Sequence, residues 1–248
     1  MGRYNSIPAS EVPQNQNVPQ QIPTYSSTQY GMNTHSNTGG YNNMSQEDMQ
    51  RQMQLQEMQR GWPTVFPKAV VGLDRDGTII EDIGAYITDF SQVKPIPGSL
   101  EAIRMIRLKG HQLMILTNQA GISKGLQTTN QVDAVHQGMM KMFGEAGIFS
   151  IDGLLYSTSN LKDDIYAKPN IGMFDRARKE NRMNWKQGWY VGDKISDLKA
   201  ADKAGSKPIL VLTGHGKETL EKLNTFANRE LKAKTLVFNN LLEFAKTL

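Results

Sequence analysis

Short apolar runs alternate with longer amphipathic segments from residue 67 to the end of the chain. The runs predict strands, and the segments between them have the apolar spacing, the caps and the terminal glycines of helices. The predicted strands cover residues 69–74, 111–117, 152–157, 188–193 and 207–213, and the predicted helices between them cover 97–110, 128–147, 170–181 and 195–205. The segments 216–226, 235–238 and 239–248 finish the chain. Strands and helices that alternate in this way build βαβ units. The pattern therefore predicts an α/β fold, a doubly wound and mostly parallel sheet with helices on both faces.

The first 60 residues lack this alternation. About a third of them are Gln or Asn, with Pro, Ser, Gly and Tyr scattered among the rest. Such a segment buries too little apolar surface to offset its chain entropy, so we expect a disordered low-complexity arm at 1–60 before a globular domain at 67–248. Within the arm, Ser45 and a weak Met-rich side predict a helix at 45–60. Two interpretations stay open: a marginal helix, or a helix through which the arm binds a protein partner or a second copy of the chain.

Composition and charge limit the classes of function. The chain has no cysteine, which excludes disulfides and thiolate metal sites. It has no apolar run of 18 residues and no secretory signal at its N-terminus, so we expect a cytoplasmic protein without a membrane partner. Residues 61–248 carry 25 basic and 20 acidic side chains. This mild excess suits a small anionic substrate, whereas nucleic-acid binders carry a dense basic stripe.

Polar residues follow the predicted strands one after another. They are Asp74 and Asp76 after the first strand, Thr117 and Asn118 after the second, Lys168 before the helix that follows the third, and Asp193 after the fourth. Ligands of doubly wound sheets bind beyond the carboxyl ends of the strands. We therefore expect these side chains to converge on one rim of the sheet.

The carboxylates at this rim predict a magnesium site. Asp74, Asp76 and Asp193 offer the hard oxygen ligands that Mg²⁺ prefers. With its charge screened by the ion, Asp74 can attack phosphorus as a nucleophile. Asp76, two positions further on, can protonate the leaving oxygen and later deprotonate a water. The carboxylates therefore predict phosphoryl transfer through an aspartyl-phosphate.

The remaining polar groups predict a cradle for the phosphoryl group. Thr117 offers a hydroxyl, and the backbone amides of Asn118 and Gln119 offer hydrogen-bond donors. Lys168 offers a compact positive charge. Together they would stabilise the charge that develops on a phosphoryl group in the transition state.

Four stretches of the sequence resemble the motifs of haloacid-dehalogenase-type (HAD) phosphatases. They are DRDGT at 74–78, LTNQAGISKG at 116–125, AKPNIGMF at 167–174 and VGDKISDLKAA at 191–201. The resemblance covers about residues 67–245 and is greatest to the branch of D-glycero-D-manno-heptose 1,7-bisphosphate and histidinol-phosphate phosphatases. A single DxDGT is only moderately specific, but four motifs in the right order are a strong signal. The short gaps between the motifs imply an HAD-like core without a large cap domain, with an open site framed by loops.

The resemblance implies catalytic roles for individual residues. Asp74 would be the nucleophile and Asp76 the general acid and base. Thr117 and Lys168 would stabilise the transferring phosphoryl group. Mg²⁺ would be held by Asp74, the backbone carbonyl of Asp76, and Asp193.

It also implies roles further from the chemistry. Asp197 would orient Lys168 or the metal-bound waters rather than bind the metal. Lys194 matches a family lysine at the substrate end of the site. The loop at 81–90 and the GISKG segment around Lys124 would determine which substrate binds, beside Asn118 and Gln119.

The chain departs from the heptose phosphatases in two places. Those enzymes commonly carry a zinc-binding Cys/His loop before the third motif, and residues 157–169 contain neither Cys nor His, so no zinc is expected. They usually have Arg directly before the lysine of that motif, where this chain has Ala167. The resemblance thus implies a Mg²⁺-dependent phosphatase of a small phosphorylated metabolite, a sugar phosphate such as D-glycero-D-manno-heptose 1,7-bisphosphate.

Two other classes of function stay open. A polynucleotide 3′-phosphatase shares DxDGT and a similar second motif, although VGDKISD at 191–197 fits the small-molecule branch better. A structural or assembly protein could keep the fold and bind a partner through the arm at 1–60, although the intact carboxylates and Lys168 favour catalysis. The histidines show no ligand spacing, and none is assigned a role; they are His35, His111, His136 and His215.

Overall fold

A computed structural model of the chain describes residues 24–25, 69–159, 161 and 163–248. The strands of this part are β1 (Thr24–Tyr25), β2 (Val70–Leu73), β3 (Gln112–Asn118), β4 (Gly153–Ser157), β5 (Trp189–Gly192), β6 (Lys207–Val211) and β7 (Leu236–Phe238). The α-helices are α1 (Ser99–Leu108), α2 (Thr129–Glu145), α3 (Gly172–Glu180), α4 (Ile195–Ala204), α5 (Gly216–Leu223), α6 (Arg229–Lys234) and α7 (Leu241–Thr247). Apart from β1, the predicted arm at 1–60 and its helix at 45–60 lie outside the described residues.

The strands form one sheet in the order β1-β4-β3-β2-β5-β6-β7. Strands β2 to β7 are parallel, and β1 pairs antiparallel with β4 at the edge. From β2 the chain first builds outward through β3 and β4, then returns to place β5 on the other side of β2. The predicted doubly wound, mostly parallel sheet is confirmed. Its switch point, where such sheets bind ligands, lies between β2 and β5.

Helices cover both faces of the sheet because alternate strand residues point in opposite directions. On β3, Leu113 and Ile115 pack with α1, α2 and α7, while Met114 and Leu116 pack with α3 and α4. Strands β2 to β5 are almost completely buried along their length, as expected of a parallel sheet between two helical layers. This double layer fixes the strand ends from which the predicted catalytic residues emerge.

The last quarter of the domain holds a short helix that the pattern did not predict. Helix α6 has six residues, RELKAK, and only Leu231 is buried. One buried residue in six gives no helical periodicity, so the sequence offers no signal for this element. No helix among the described residues is long and apolar enough to cross a membrane.

Candidate active site

Two aspartates leave neighbouring strands at the switch point. Leu73 of β2 is in register with Val191 of β5, and the Asp74 N–H donates to the Val191 carbonyl at 2.9 Å. Asp74 and Asp193 therefore emerge side by side, since each directly follows the last residue of its strand. Carboxylate oxygens of Asp74, Asp193 and Asp197 all lie within 4.8 Å of one another, and all three residues are buried. The structure brings these predicted residues together.

Lys168 supplies the positive charge of this cluster. Its Nζ lies 2.8 Å from Asp74 Oδ1 and 2.6 Å from Asp197 Oδ1. Nζ also donates to the Leu116 carbonyl and to the Tyr190 hydroxyl, at 2.8 Å each. Burial alone would lower the pKa of Lys168, but the carboxylates of Asp197 and Asp74 outweigh it and hold that pKa well above its usual range. The side chain is thus an ammonium directed at Asp74.

The side chain of Asn118 positions Lys168. Its Oδ1 accepts from the Lys168 backbone N–H and its Nδ2 donates to the Lys168 carbonyl, both at 3.0 Å. The backbone of Asn118 and Gln119 was predicted to donate to the phosphoryl group. In the structure the Gln119 N–H instead donates to the Ser157 carbonyl at 2.7 Å, because the pairing of β3 with β4 continues to this point. The backbone N–H of Gln119 is therefore hydrogen-bonded within the sheet and is not directed into the site.

Asp193 has the properties of a cation ligand. Its Oδ2 accepts from the His215 N–H at 2.8 Å, whereas Oδ1 is buried without a hydrogen-bond partner in the part of the chain that the structure describes. Burial raises the pKa of Asp193 to about 8. A buried carboxylate oxygen without a donor, close to two other carboxylates, is costly unless a cation compensates it. The residues present therefore fit a hard divalent cation with oxygen ligands.

Two glycines make room for the Asp193 carboxylate. Gly77 and Gly214 both have positive φ angles, of 80° and 52°. A Cβ atom on Gly77 would lie 2.1 Å from Asp193 Oδ2, and one on Gly214 would lie 2.3 Å from the same oxygen. No larger residue fits at either position with Asp193 in place.

Asp76 lies outside this cluster and is held by a separate network. The Arg75 guanidinium donates to both of its oxygens, Nη2 to Oδ1 at 2.9 Å and Nε to Oδ2 at 3.1 Å. Gln119 Nε2 donates to Asp76 Oδ2 and to Thr117 Oγ1, at 3.0 Å each. Gln119 Oε1 accepts in turn from Arg75 Nη2 at 2.9 Å. One amide side chain thus links the predicted proton-transfer group to the predicted phosphoryl-binding hydroxyl.

A charged cluster lies at the mouth of the site. Asp82 Oδ2 is 3.0 Å from Lys194 Nζ and 3.2 Å from His215 Nε2. Burial alone would raise the pKa of Asp82, but the hydrogen bonds from Lys194 and the Gly84 N–H and the charge of Lys194 together outweigh it and lower that pKa. The carboxylates of Asp74 and Asp193 in turn raise the pKa of Lys194 against its burial. Lys194 is therefore a cation between the buried carboxylates and the loop at 81–90.

The two predicted substrate loops contact each other through Tyr86. Its ring packs so closely over Gly121 that a Cβ there would lie 2.7 Å from the ring. Lys124 Nζ donates to the Tyr86 hydroxyl at 2.9 Å on the exposed side of these loops. A second hydrogen bond joins the two loops, from Gln127 Nε2 to the Ile87 carbonyl at 2.6 Å. Lys124 thus lies at the outer rim, away from the buried cluster.

Sequence reasoning missed several residues of this site. Arg75 stands inside the first motif and Tyr190 directly before the fourth. Neither was assigned a role, and neither was His136. The signal for His136 was a polar residue on the apolar face of the predicted helix at 128–147. Asp82 pairs with Lys194, and His215 pairs with Asp82. Both Asp82 and His215 lie in loops, for which the local pattern gives no signal.

A doubly wound sheet whose switch point carries buried carboxylates and an ammonium defines a class of enzyme that acts on phosphoryl groups. Comparisons with known proteins define it further. A family model described as HAD-hydrolase-like matches residues 165–244. D-glycero-beta-D-manno-heptose-1,7-bisphosphate 7-phosphatase of Neisseria meningitidis serogroup A is 33% identical over 175 residues, which cover 70% of this chain and 91% of the relative. The enzyme of the same name from Pseudomonas putida is 33% identical over 177 residues, covering 71% of this chain and 97% of the relative.

Solved structures agree with these relatives. The D,D-heptose 1,7-bisphosphate phosphatase from B. bronchiseptica, complexed with magnesium and phosphate, superposes with a TM-score of 0.65 at 28% identity. The match covers 72% of this chain and 97% of that structure. The chain therefore belongs to the haloacid-dehalogenase-like phosphatases, as the motifs indicated. It is a phosphoric monoester hydrolase.

Proposed function

We propose that this phosphatase uses Mg²⁺ to hydrolyse a sugar phosphate through an aspartyl-phosphate on Asp74, with D-glycero-D-manno-heptose 1,7-bisphosphate as its substrate. The observation that carries the proposal is the placement of Asp74, Lys168 and Asp193 together at the switch point. The names of the relatives support the substrate. The catalytic unit would be the domain at 67–248.

The residues of the chain divide the reaction between them. Asp74 attacks phosphorus while the bond from phosphorus to the sugar oxygen breaks, and Asp76 protonates that oxygen. Asp76 then takes a proton from a water, which attacks the aspartyl-phosphate, releases phosphate and restores Asp74. Lys168 and Thr117 bind the transferring group throughout.

Asp74, Asp193 and the carbonyl of Asp76 would hold the Mg²⁺, which offsets the repulsion between carboxylate and phosphate. Asp197 would not be a ligand, since Oδ1 pairs with Lys168 and Oδ2 accepts from the Lys194 N–H at 3.0 Å. Asp193 Oδ1, which has no hydrogen-bond partner among the described residues, supports this assignment. Zinc has no role in the proposal, because the loop before Lys168 contains neither Cys nor His.

Recognition of the distal part of the substrate would fall to lysines. Ala167 is buried at the position where the heptose enzymes usually have Arg, so it offers no group to a ligand. Lys194 is the nearer candidate, because its charge interacts with both Asp74 and Asp193. Lys124 is the outer candidate, at the rim beside Tyr86.

The test is Mg²⁺-dependent phosphate release from heptose 1,7-bisphosphate and from a 3′-phosphorylated oligonucleotide, with Asp74→Asn as the blank. We expect turnover of the sugar that disappears in the variant and in chelator. Preference for the oligonucleotide would instead assign the enzyme to nucleic-acid ends. Turnover that persists in Asp74→Asn would contradict the assignment of Asp74 as the nucleophile.

A further inference from the structure

A buried histidine contacts the site from outside the four motifs. His136 lies on helix α2, and its Nε2 is 3.0 Å from Arg75 Nη1. Both side chains are inaccessible to solvent. A polar residue in the otherwise apolar face of α2 costs stability unless it is hydrogen-bonded. The partner of that bond is the residue that holds Asp76.

The chemistry of the two side chains fixes the direction of this hydrogen bond. A guanidinium can only donate, so His136 Nε2 is the acceptor and its ring is neutral. Burial, and then the charge of Arg75, lower the pKa of His136 well below its usual range, in agreement with a neutral ring. The ring of Tyr156 packs against His136 with centroids 5.2 Å apart, and the Tyr156 hydroxyl donates to Asp133 Oδ1 at 2.6 Å. The acceptor is therefore held in place by α2 and β4.

The remaining donors of Arg75 are directed at the catalytic groups. Nε and Nη2 bind the two oxygens of Asp76, and Nη2 also binds Gln119. Because Arg75 directly precedes Asp76, its long side chain must fold back onto its neighbour. Nη1 is the guanidinium nitrogen that binds neither Asp76 nor Gln119, and His136 anchors it.

We propose that His136 is a positioning residue for proton transfer: it anchors Arg75, and Arg75 holds the Asp76 carboxylate at the angle from which it reaches the leaving oxygen. This inference rests on the proposed role of Asp76 as general acid. It adds a residue 60 positions away from Asp76 and outside the motifs to the machinery of that step. A purely structural role would instead predict that loss of His136 lowers stability and impairs every substrate equally.

The two roles differ in how they depend on the leaving group. A sugar alkoxide must be protonated as it departs, whereas p-nitrophenolate is stable as an anion and needs little help from an acid. Disordering Asp76 should therefore slow the sugar phosphate far more than p-nitrophenyl phosphate. Loss of folding or of metal would slow both to the same extent.

The experiment measures kcat for heptose 1,7-bisphosphate and for p-nitrophenyl phosphate in four variants. His136→Leu removes the acceptor, and His136→Gln restores one through its amide oxygen. Asp76→Asn shows the full effect of losing the acid. His111→Leu is the matched control, since His111 is also buried but packs beside Trp189 at the opposite end of β3.

We expect His136→Leu to lower kcat for the sugar phosphate about 30-fold, a large part of the 10²- to 10⁴-fold that general acid catalysis contributes, and to change kcat for the aryl phosphate less than about threefold. His136→Gln should recover most of the loss, and His111→Leu should change kcat for both substrates by the same factor. If His136→Leu does not fold, Arg75→Lys, which keeps the charge but not the fork, carries the same comparison.

The outcomes separate this inference from the proposed function. If Asp76→Asn discriminates between the two esters and His136→Leu and Arg75→Lys do not, the positioning role is wrong and the acid role stands. If Asp76→Asn slows both esters equally, the general-acid assignment fails and the positioning role fails with it. If the native enzyme hydrolyses neither ester, the proposed function itself is wrong.

Discussion

Lys168 and Asp197 form an ion pair, with 2.6 Å between Nζ and Oδ1, in which both side chains are almost wholly buried. Lys168 also pairs with Asp74 at 2.8 Å, so one ammonium balances two carboxylates. Burying three charges costs more than an exposed pair, and their mutual attraction offsets that cost only while all three are present. The Lys168 ammonium, which the proposed reaction needs to bind the phosphoryl group, is thus also part of the buried core.

The first prediction concerns the stability of this pair. Lys168→Met should lower the free energy of unfolding by about 4 kcal/mol, because it leaves two buried carboxylates without their counter-ion. Asp197→Leu should lower it by about 3 kcal/mol, because it removes one of the two carboxylates that offset the burial of the ammonium and leaves the Lys194 N–H without its acceptor. The double variant should cost less than the sum by more than about 1 kcal/mol. Urea denaturation of the metal-free protein measures all three. Strictly additive losses would show that the two side chains do not stabilise each other.

The second prediction concerns pH and metal. Burial raises the pKa of Asp193 to about 8, whereas the same group in the unfolded chain titrates near 3.8. Between these values the folded state binds more protons than the unfolded state, so the stability of the metal-free protein should fall as pH rises from about 4 to about 8. Mg²⁺ requires the ionised carboxylate and competes with the proton. It should therefore raise the melting temperature more at pH 8 than at pH 5.

Differential scanning fluorimetry with and without Mg²⁺ at the two pH values measures this effect. In Asp193→Asn both the Mg²⁺ response and this part of the pH dependence should disappear. An equal Mg²⁺ shift at both pH values, or an unchanged response in Asp193→Asn, would contradict the assignment of Asp193 as a ligand.

The sequence predicted the sheet and the strand ends because both depend on local patterns. Apolar runs place Asp74 and Asp193 at carboxyl ends, and parallel pairing then brings them together. The sequence did not predict contacts that depend on how a helix is rotated about its own axis against the sheet. His136 lies 61 residues from Arg75, and only the packing of α2 on the sheet directs its ring at that guanidinium. The prediction that the backbone N–H of Gln119 binds the phosphoryl group failed for a related reason. How far the pairing of β3 with β4 continues cannot be read from the sequence of either strand alone.

The third prediction concerns substrate affinity. Lys194→Met should raise KM for heptose 1,7-bisphosphate about tenfold, the value of one charge-assisted hydrogen bond at a partly exposed site, and change kcat less. Lys179→Met, on the exposed surface of α3, is the matched control and should leave KM unchanged. Steady-state kinetics with the bisphosphate measure both. An equal fall in kcat and kcat/KM would mean that Lys194 acts in the transition state rather than in substrate binding.

The fourth prediction separates backbone strain from crowding at the metal site. Gly77→Ala places a Cβ 2.1 Å from Asp193 Oδ2, at a φ of 80°. Gly205→Ala at the end of α4 has nearly the same φ, 82°, but its Cβ would be 3.6 Å from its nearest neighbour, Lys186. Backbone strain should therefore lower the free energy of unfolding of both variants by a similar amount, about 1 kcal/mol, which urea denaturation measures. Only Gly77→Ala must displace Asp193, so only it should lose Mg²⁺-dependent turnover and the Mg²⁺-induced rise in melting temperature. If Gly205→Ala loses both as well, strain in the fold is enough to explain the defect, and the close approach of Gly77 to Asp193 has no special role in holding the ion.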